Sequence, residues 1–487
     1  MYDYIVAGAG YGGMSIAALL VKHGFSVLLL ESHTMVGGCA SCFRRKGFTF
    51  DVGATTLSGV LPHQTLGRLF SELSIQPELK KIDPGVISFI GDKKIVRHAD
   101  KELWIESAVD IFGSGNQRIF WEKVFRTDEK VWNFIDENRI FRPRNLQEYI
   151  ALMKFSNLKY SSLFFGLTTS IKKVIDGLRL NNDLFRRFIN DQLLISTQSA
   201  NFSAPFVTAA AGLAYPSETY CPYGGMTAPL NLIEKKFYEL GGEIKFRKRV
   251  DFIGKEKDHY KVTTNKGDTY EAKGVVSNIP IWNMAEITEG KIRKYFRELS
   301  AKHSFAWGAF TVYFAVEDTI PLETVYYQIH TGKTIPHCSS NSFFVSFSLR
   351  GDKDKAPDGW RTVTISTHTD VANWIINNKD DYIKQKEETT EYIMHNFYER
   401  FPELKSAQLL YLLSGTPNSF EFFTGRYNGY VGGIPHSVKN NLLRIPPNHT
   451  PFDNLFLVGD TVFPGQGTPA VVLGAFNVMH QIESKSW

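Results

Sequence analysis

Tyr4-Ile5-Val6-Ala7-Gly8-Ala9-Gly10-Tyr11-Gly12-Gly13 is an apolar run followed at once by a turn of the form G-x-G-x-x-G. A dinucleotide-binding turn needs glycine at three places for three reasons. Gly8 permits the tight turn, Gly10 lets backbone approach a pyrophosphate, and Gly13 lets the next helix pack closely on the strand. The phosphates then sit on free N–H groups at the helix N-terminus. Such hexapeptides also occur as plain structural turns, so the flanking sequence decides. Ile16, Ala17, Leu19 and Leu20 supply an apolar helical face, Gly24 ends the helix, and Ser26-Val27-Leu28-Leu29-Leu30 reads as a buried parallel strand. Glu31 follows that strand at a spacing of roughly 20 residues, where a carboxylate accepts hydrogen bonds from an adenosine ribose and repels a 2′-phosphate. FAD or NAD is therefore expected rather than NADP. The bland alternative for Glu31 is an ordinary surface glutamate after a strand.

At 487 residues the chain is too long for one core, which points to a cofactor domain plus a substrate domain. A net charge of +5 is small for this size, and no Lys/Arg block stands beside an aromatic platform, so no nucleic-acid partner is expected. The 37 Phe suggest a broad apolar cavity as well as a core. The first strand begins so early that no signal or transit peptide is expected, and no apolar run reaches the roughly 18–20 residues that span a bilayer. Four cysteines do not make a disulfide framework, so a reducing cytoplasmic setting is expected. The sequons at Asn201 and Asn448 are then incidental.

Further glycine signals recur along the chain. A second doublet, Gly37-Gly38, precedes a hairpin-like pair from Ser41 to Gly53, and residues from about 64 to 220 are mixed and rich in helical periods. Tyr223-Gly224-Gly225-Met226 then opens a helix from about Ala228 to Leu240, followed by Glu243-Ile244-Lys245-Phe246 and a meander ending at Ser277-Asn278. Residues 286–440 read as a mixed sheet with flanking helices. No repeat or low-complexity linker divides the chain, which fits interleaved rather than tandem domains.

The second strong signal is C-terminal. Asn454-Leu455-Phe456-Leu457-Val458-Gly459-Asp460 is a buried strand ending in Gly-Asp, followed by Phe463-Pro464-Gly465-Gln466-Gly467-Thr468-Pro469 and an Ala/Val/Leu helix. Thr468 suits the N-cap and Pro469 the first helical position. Facing a flavin, the positive end of this helix stabilises charge on the reduced ring, and Asp460 can accept a ribityl hydroxyl.

The opening fingerprint, the Gly37-Gly38 doublet, the run Gly47-Phe48-Thr49-Phe50-Asp51-Val52-Gly53, Tyr223 to Met226 and the closing run Val458 to Gly467 resemble the phytoene desaturase and carotenoid isomerase family of FAD-dependent oxidoreductases. The matches cover about the first 60 residues, 220–280 and the last 45. The resemblance implies an α/β fold: a Rossmann-type FAD-binding domain of the glutathione-reductase/amine-oxidase type (1–75, 222–285, 441–487) with an interleaved α+β substrate and membrane-associating domain (76–221, 286–440). It implies non-covalent FAD, a lipophilic polyene substrate reached through a tunnel, and peripheral attachment to a membrane surface; net desaturation would need an electron acceptor such as oxygen or a quinone. Carried onto this chain, it places Gly8, Gly10 and Gly13 at the pyrophosphate, Glu31 at the adenosine ribose and Val250 at the adenine. Asp460 falls at the ribityl chain and Gly467 and Thr468 at the flavin ring, with Gly38 and Gly459 also binding cofactor. Many relatives carry Arg directly after the doublet, where this chain has Cys39.

Cys39-Ala40-Ser41-Cys42 invites comparison with flavin disulfide reductases, but their redox pair is more widely spaced and they need a second G-x-G-x-x-G. Zinc would require two further nearby ligands, and Cys221 and Cys338 stand alone, so no metal is expected. No Ser/His/Asp or paired-carboxylate constellation can be assembled from spacing, and catalytic residues stay unassigned. A flavin can accept hydride from an allylic carbon, so the protein need supply mainly positioning and a dry cavity, with water or an unassigned side chain as the base. Redox chemistry is the first expectation, although the closing run leans toward isomerase relatives. The segment from Leu152 to Lys173, aromatic in its middle and flanked by lysines, reads either as an interfacial segment or as a core helix. Two other classes stay open: an oxidoreductase or saturase on another lipophilic or amine substrate, and a flavin-free isoprenoid escort. Such escorts lose the third glycine and the closing Gly-Asp, whereas Gly13 and Asp460 are present.

Overall fold

The computed structural model describes residues 1–113, 115–139, 141–143, 146–199 and 202–484. The sequon at Asn201 lies outside them. That at Asn448 is fully buried, its amide donating to the carbonyls of Leu457 and Phe463.

The first strand, Tyr2–Ala7, and the second, Val27–Leu30, pair in parallel, and both are nearly continuous apolar runs because helices cover both faces of the sheet. The helix between them, Tyr11–Lys22, is buried from Tyr11 through Val21. It lies against Thr227–Glu239 and Thr468–Glu483, so no side of it is free to be polar. The parallel order runs Glu243–Lys245, Val27–Leu30, Tyr2–Ala7, Thr269–Ser277. The last of these is long enough to take two partners on its far side. Its first half pairs antiparallel with Tyr260–Thr264, and its end pairs in parallel with Leu455–Leu457.

This register decides where a ligand binds. Ala7 is level with Leu30 and Ser277, and Ser277 with Leu457, so four strands end in a row. Gly8, Glu31, Asn278 and the Val458-Gly459-Asp460 segment leave from that edge, the carboxyl end of a parallel sheet, where α/β folds bind ligands.

A second sheet is antiparallel except at one junction. Its order is Leu409–Gly415, Gly308–Glu317, Trp360–Thr369, Ser342–Phe347, Tyr326–His330, Val86–Ile90, Lys93–Arg97. The last two strands form a hairpin joined in parallel to Tyr326–His330. Residues 86–97 read in the sequence only as part of a helix-rich stretch; as a short hairpin at a sheet edge they acquire their burial from a strand more than 200 residues away. One of the helices expected to flank this sheet is the charged helix Lys379–Arg400. A helical layer built from Lys101–Phe112, Gln117–Glu137, Asp183–Thr197 and Phe206–Ala214 packs around Trp104, Trp121, Phe120, Phe185 and Phe188.

Two of the sequence motifs clasp each other away from the strand ends. Asp51, at the end of strand Phe48–Asp51, accepts the Met226 amide at 3.0 Å and pairs with Lys355 at 2.8 Å. Gly225 must be glycine, because a Cβ there would stand 2.5 Å from the Asp51 carboxylate and 2.9 Å from the Lys355 ammonium. The hairpin and the Gly224-Gly225 turn thus join the first sheet's layer to the second.

Candidate active site

The turn after the first strand is crowded in the way its glycines require. A Cβ on Gly13 would lie 1.9 Å from the carbonyl oxygen of Gly8, so only glycine lets the helix approach the strand. Asn278 occupies the centre of the crossing. Its side chain is within 4 Å of where a Cβ would stand on Gly8, Gly10, Gly12, Gly13 and Gly459, and its own N–H donates to Ala7. Gly37 bridges Gly10, bringing the second doublet alongside. Gly10 caps the helix with no side chain, so the first-turn amides stay bare and carry the positive end of the helix dipole.

These segments line a cavity of about 1690 Å³. Single-ligand pockets are roughly 300–1,000 Å³, so this one has room for a dinucleotide and a second large molecule. Gly8, Gly10, Glu31, Gly38, Val250, Gly459, Asp460, Gly467 and Thr468 all line it, whereas Gly13 lies behind the turn it permits. Glu31 is engaged on both oxygens, accepting the Ala9 amide at 2.7 Å and the His33 amide at 2.8 Å. It braces the glycine turn, leaving its remaining lone pairs for a ligand. Val250 is close by, since the Lys248 amide donates to the Glu31 carbonyl.

The C-terminal helix, Thr468–Glu483, differs from its expected cap. Gly467, at φ +97°, is the N-cap, Thr468 is already helical, and no side chain caps the helix. Three residues after the cis Phe463-Pro464 bond the chain must turn through a left-handed conformation, which Gly467 adopts at no steric cost and Thr468 would not. A second bare helix end therefore faces the cavity. Two uncapped N-termini and a cradle that any Cβ would fill fit a dinucleotide whose pyrophosphate and ring system are both anion-stabilised. Bound there, the flavin supplies two-electron redox chemistry.

Arg426 was not legible in the sequence. Its Nη2 donates to both oxygens of Asp460 at 3.0 and 2.8 Å, its Nε donates to the Tyr430 carbonyl at 2.5 Å, and it contacts the Cys39 thiol. Burial works against the guanidinium charge, but Asp460 outweighs it and holds Arg426 protonated. Arg426 thus reaches Cys39, the residue directly after the doublet, from a distant loop. Burial also raises the Cys39 thiol, with Arg426 opposing, and raises Cys221 to about 11, so both stay protonated near neutrality. All four cysteines are free.

Beyond the strand ends the wall turns apolar. Phe134, Phe141, Tyr160, Leu163, Leu167 and Leu442 line that region.

Removing Asp460 strands a buried guanidinium. Asp460→Ala is expected to lose about 3–5 kcal/mol of stability in denaturant unfolding and to release cofactor on gel filtration. Arg426→Gln with Asp460→Asn recovers most of the stability and not the retention; an Asp460→Ala protein as stable as wild type would refute the pairing. Cys39→Ser with Cys42→Ser keeps cofactor and most turnover, and loss of activity from an intact flavin-loaded double variant would reveal a catalytic dithiol.

A family model described as flavin containing amine oxidoreductase matches residues 11–477. Prolycopene isomerase of Daucus carota is 26% identical over 99% of this chain and 80% of that protein. A 1-hydroxycarotenoid 3,4-desaturase of Flavobacterium is 25% identical over 98% of each. A solved structure of putrescine oxidase superposes with a TM-score of 0.66 at 13% identity, over 99% of both chains, and shows the shared fold. The chain belongs to the flavin-containing amine oxidoreductase family, as an oxidoreductase whose cofactor is FAD.

Proposed function

We propose that the enzyme desaturates or isomerises a long acyclic polyene of the carotenoid class. One observation carries this reading: the cavity joins a dinucleotide cradle to an apolar, aromatic-walled extension without interruption. A small amine would leave most of that extension empty, whereas a polyene fills it and removes apolar surface from water. The carotenoid relatives, matched over nearly the whole chain, support the same class.

Desaturation is the first form of the proposal, because it uses two-electron flavin chemistry directly, with oxygen or a quinone as terminal acceptor. Isomerisation is the second. It is favoured by the resemblance to prolycopene isomerases and changes no redox state.

The same reading includes peripheral membrane attachment. Among the described residues no helix is long and apolar enough to cross a membrane. The segment from Leu146 to Thr168 folds as two short helices around a 3₁₀ turn, with two faces. Tyr160, Leu163 and Leu167 are buried toward the cavity, while Met153, Phe155 and Phe165 are 81%, 88% and 74% exposed. Phe164 belongs to both faces, half exposed and lining the cavity. An outer face this apolar, with Lys154 and Lys173 exposed near it, suits the headgroup boundary, and the inner face receives what the bilayer delivers.

Enzyme holding reduced FAD, incubated anaerobically with a cis-polyene, separates the two reactions. All-trans product of unchanged mass identifies an isomerase; product two mass units lighter, dependent on oxidised flavin and an acceptor, identifies a desaturase. No conversion in either state overturns the polyene reading. Phe155→Asp with Phe165→Asp is expected to reduce liposome co-sedimentation at unchanged flavin content, because each carboxylate must be withdrawn from the apolar boundary. Undiminished liposome binding would refute this face as the contact.

A further inference from the structure

Desaturation removes a hydride from one carbon and a proton from its neighbour, and the residues described so far account for neither base nor proton path. Most titratable groups on the cavity wall are already committed. Glu31 is held by two backbone amides and Asp460 by Arg426. Desolvation on the cavity wall lowers His368 and His436 to about 4, which makes them weak bases at neutral pH.

Asp128 is different. It lies on helix Gln117–Glu137, and Asp128, Val131, Trp132 and Ile135 share one helical face, all lining the cavity. One carboxyl therefore stands in an otherwise apolar and aromatic stripe. The stripe reaches the head of the C-terminal helix through Gly59. A Cβ on that glycine would stand 2.7 Å from Pro469 Cβ and 3.4 Å from the Trp132 ring, so Trp132 and the first turn of helix Thr468–Glu483 crowd the same point. Asp128 sits one helical turn from Trp132 on the same cavity-lining face, and the indole opposes the rise in its proton affinity.

We propose that Asp128 is the catalytic base, removing a proton from the polyene beside the carbon that loses its hydride. This rests on the polyene reading above, in its desaturating form. Oxidised FAD, held in the glycine cradle, would accept the hydride and with it the C–H electron pair of the first carbon. The proton at the second carbon passes to an Asp128 carboxylate oxygen, and its C–H pair becomes the new C=C bond. The substrate is oxidised by two electrons, the flavin reduced by two, and the proton is later released to solvent. A carboxylate near the developing polyene cation also stabilises it in a cavity that excludes water.

Proton affinity fits the role. Burial raises Asp128 to about 7. Lys101, at the head of helix Lys101–Phe112, opposes this, while Glu218 on the neighbouring 3₁₀ turn and Glu129 on its own helix push the same way. A base whose affinity is matched to the working pH is the efficient one. With its affinity raised, Asp128 is the active carboxylate above the midpoint and is neutral below it.

The test uses flavin-loaded enzyme and a cis-configured acyclic polyene in detergent micelles. Anaerobic bleaching of the oxidised flavin, followed against pH, is expected to rise through about 7 and level off above it in the wild type. Asp128→Asn slows bleaching on the order of 10²–10³-fold and abolishes the pH limb, at unchanged flavin content. Asp128→Glu keeps a limb with a displaced midpoint, which serves if the asparagine variant does not fold. In substrate-free protein, the infrared carboxyl band titrating near neutrality is expected to vanish in Asp128→Asn. Bleaching at the wild-type rate with the limb intact in Asp128→Asn, or a carboxyl band unaffected by it, overturns the proposal. A wild-type enzyme that binds the polyene but isomerises it without bleaching overturns the desaturating form and the base with it. One that does not bind the polyene overturns the substrate reading itself.

Discussion

The arrangement depends on backbone coming closer together than any side chain allows. Gly10, Gly12 and Gly459 meet around Asn278, and Gly13 meets the carbonyl of Gly8, with almost no free space where a Cβ would be. Because the chain cannot place side chains there, the amides at the head of helix Tyr11–Lys22 have no side-chain cap and face the cavity. A Ser or Asp cap would satisfy one of them and blunt the positive helix end. Local stability is forgone, and the amides are left free to meet an anionic group.

The fixed charges of the cavity follow the same logic. Asp460 is balanced by Arg426 and Glu31 by two amides, so neither carboxylate strongly opposes an anionic ligand. What remains is two bare helix ends at separate places on one wall. Electrostatic preorganisation of this kind acts most strongly where water is excluded, and the apolar, aromatic wall adjoins these helix ends.

That extension is assembled from segments with little in common locally. The second sheet contributes Tyr313, Gln328 and Ser342, helix Gln117–Glu137 contributes Trp132 and Phe134, and the two-faced segment after residue 146 closes the side. The clasp of Asp51 on Met226 and Lys355 fixes the layers: the Tyr223–Met226 turn stays off the cavity wall, and the Gly47–Gly53 run reaches it only through Val52 and Gly53. Recognisability there reflects close packing around a buried ion pair.

The sequence by itself determined the nucleotide-binding unit. A strand, a glycine turn, a helix and a second strand ending in Glu31 are neighbours in the chain, so their geometry is written in short spacings and in apolar periodicity. The Gly459-Asp460 strand end and its following helix were legible for the same reason. Tertiary structure decided the rest. Asn278 becomes the hub only when the Gly8–Gly13 turn and the Gly459 turn cross on it, and Arg426 reaches Cys39 only because a distant loop folds back to it. Asp128 acquires its high proton affinity from burial by elements far apart in sequence, and the 86–97 hairpin its strand character from a remote partner. Spacing encodes conformation within one or two elements, whereas desolvation and charge pairing belong to whatever the packing of layers brings together.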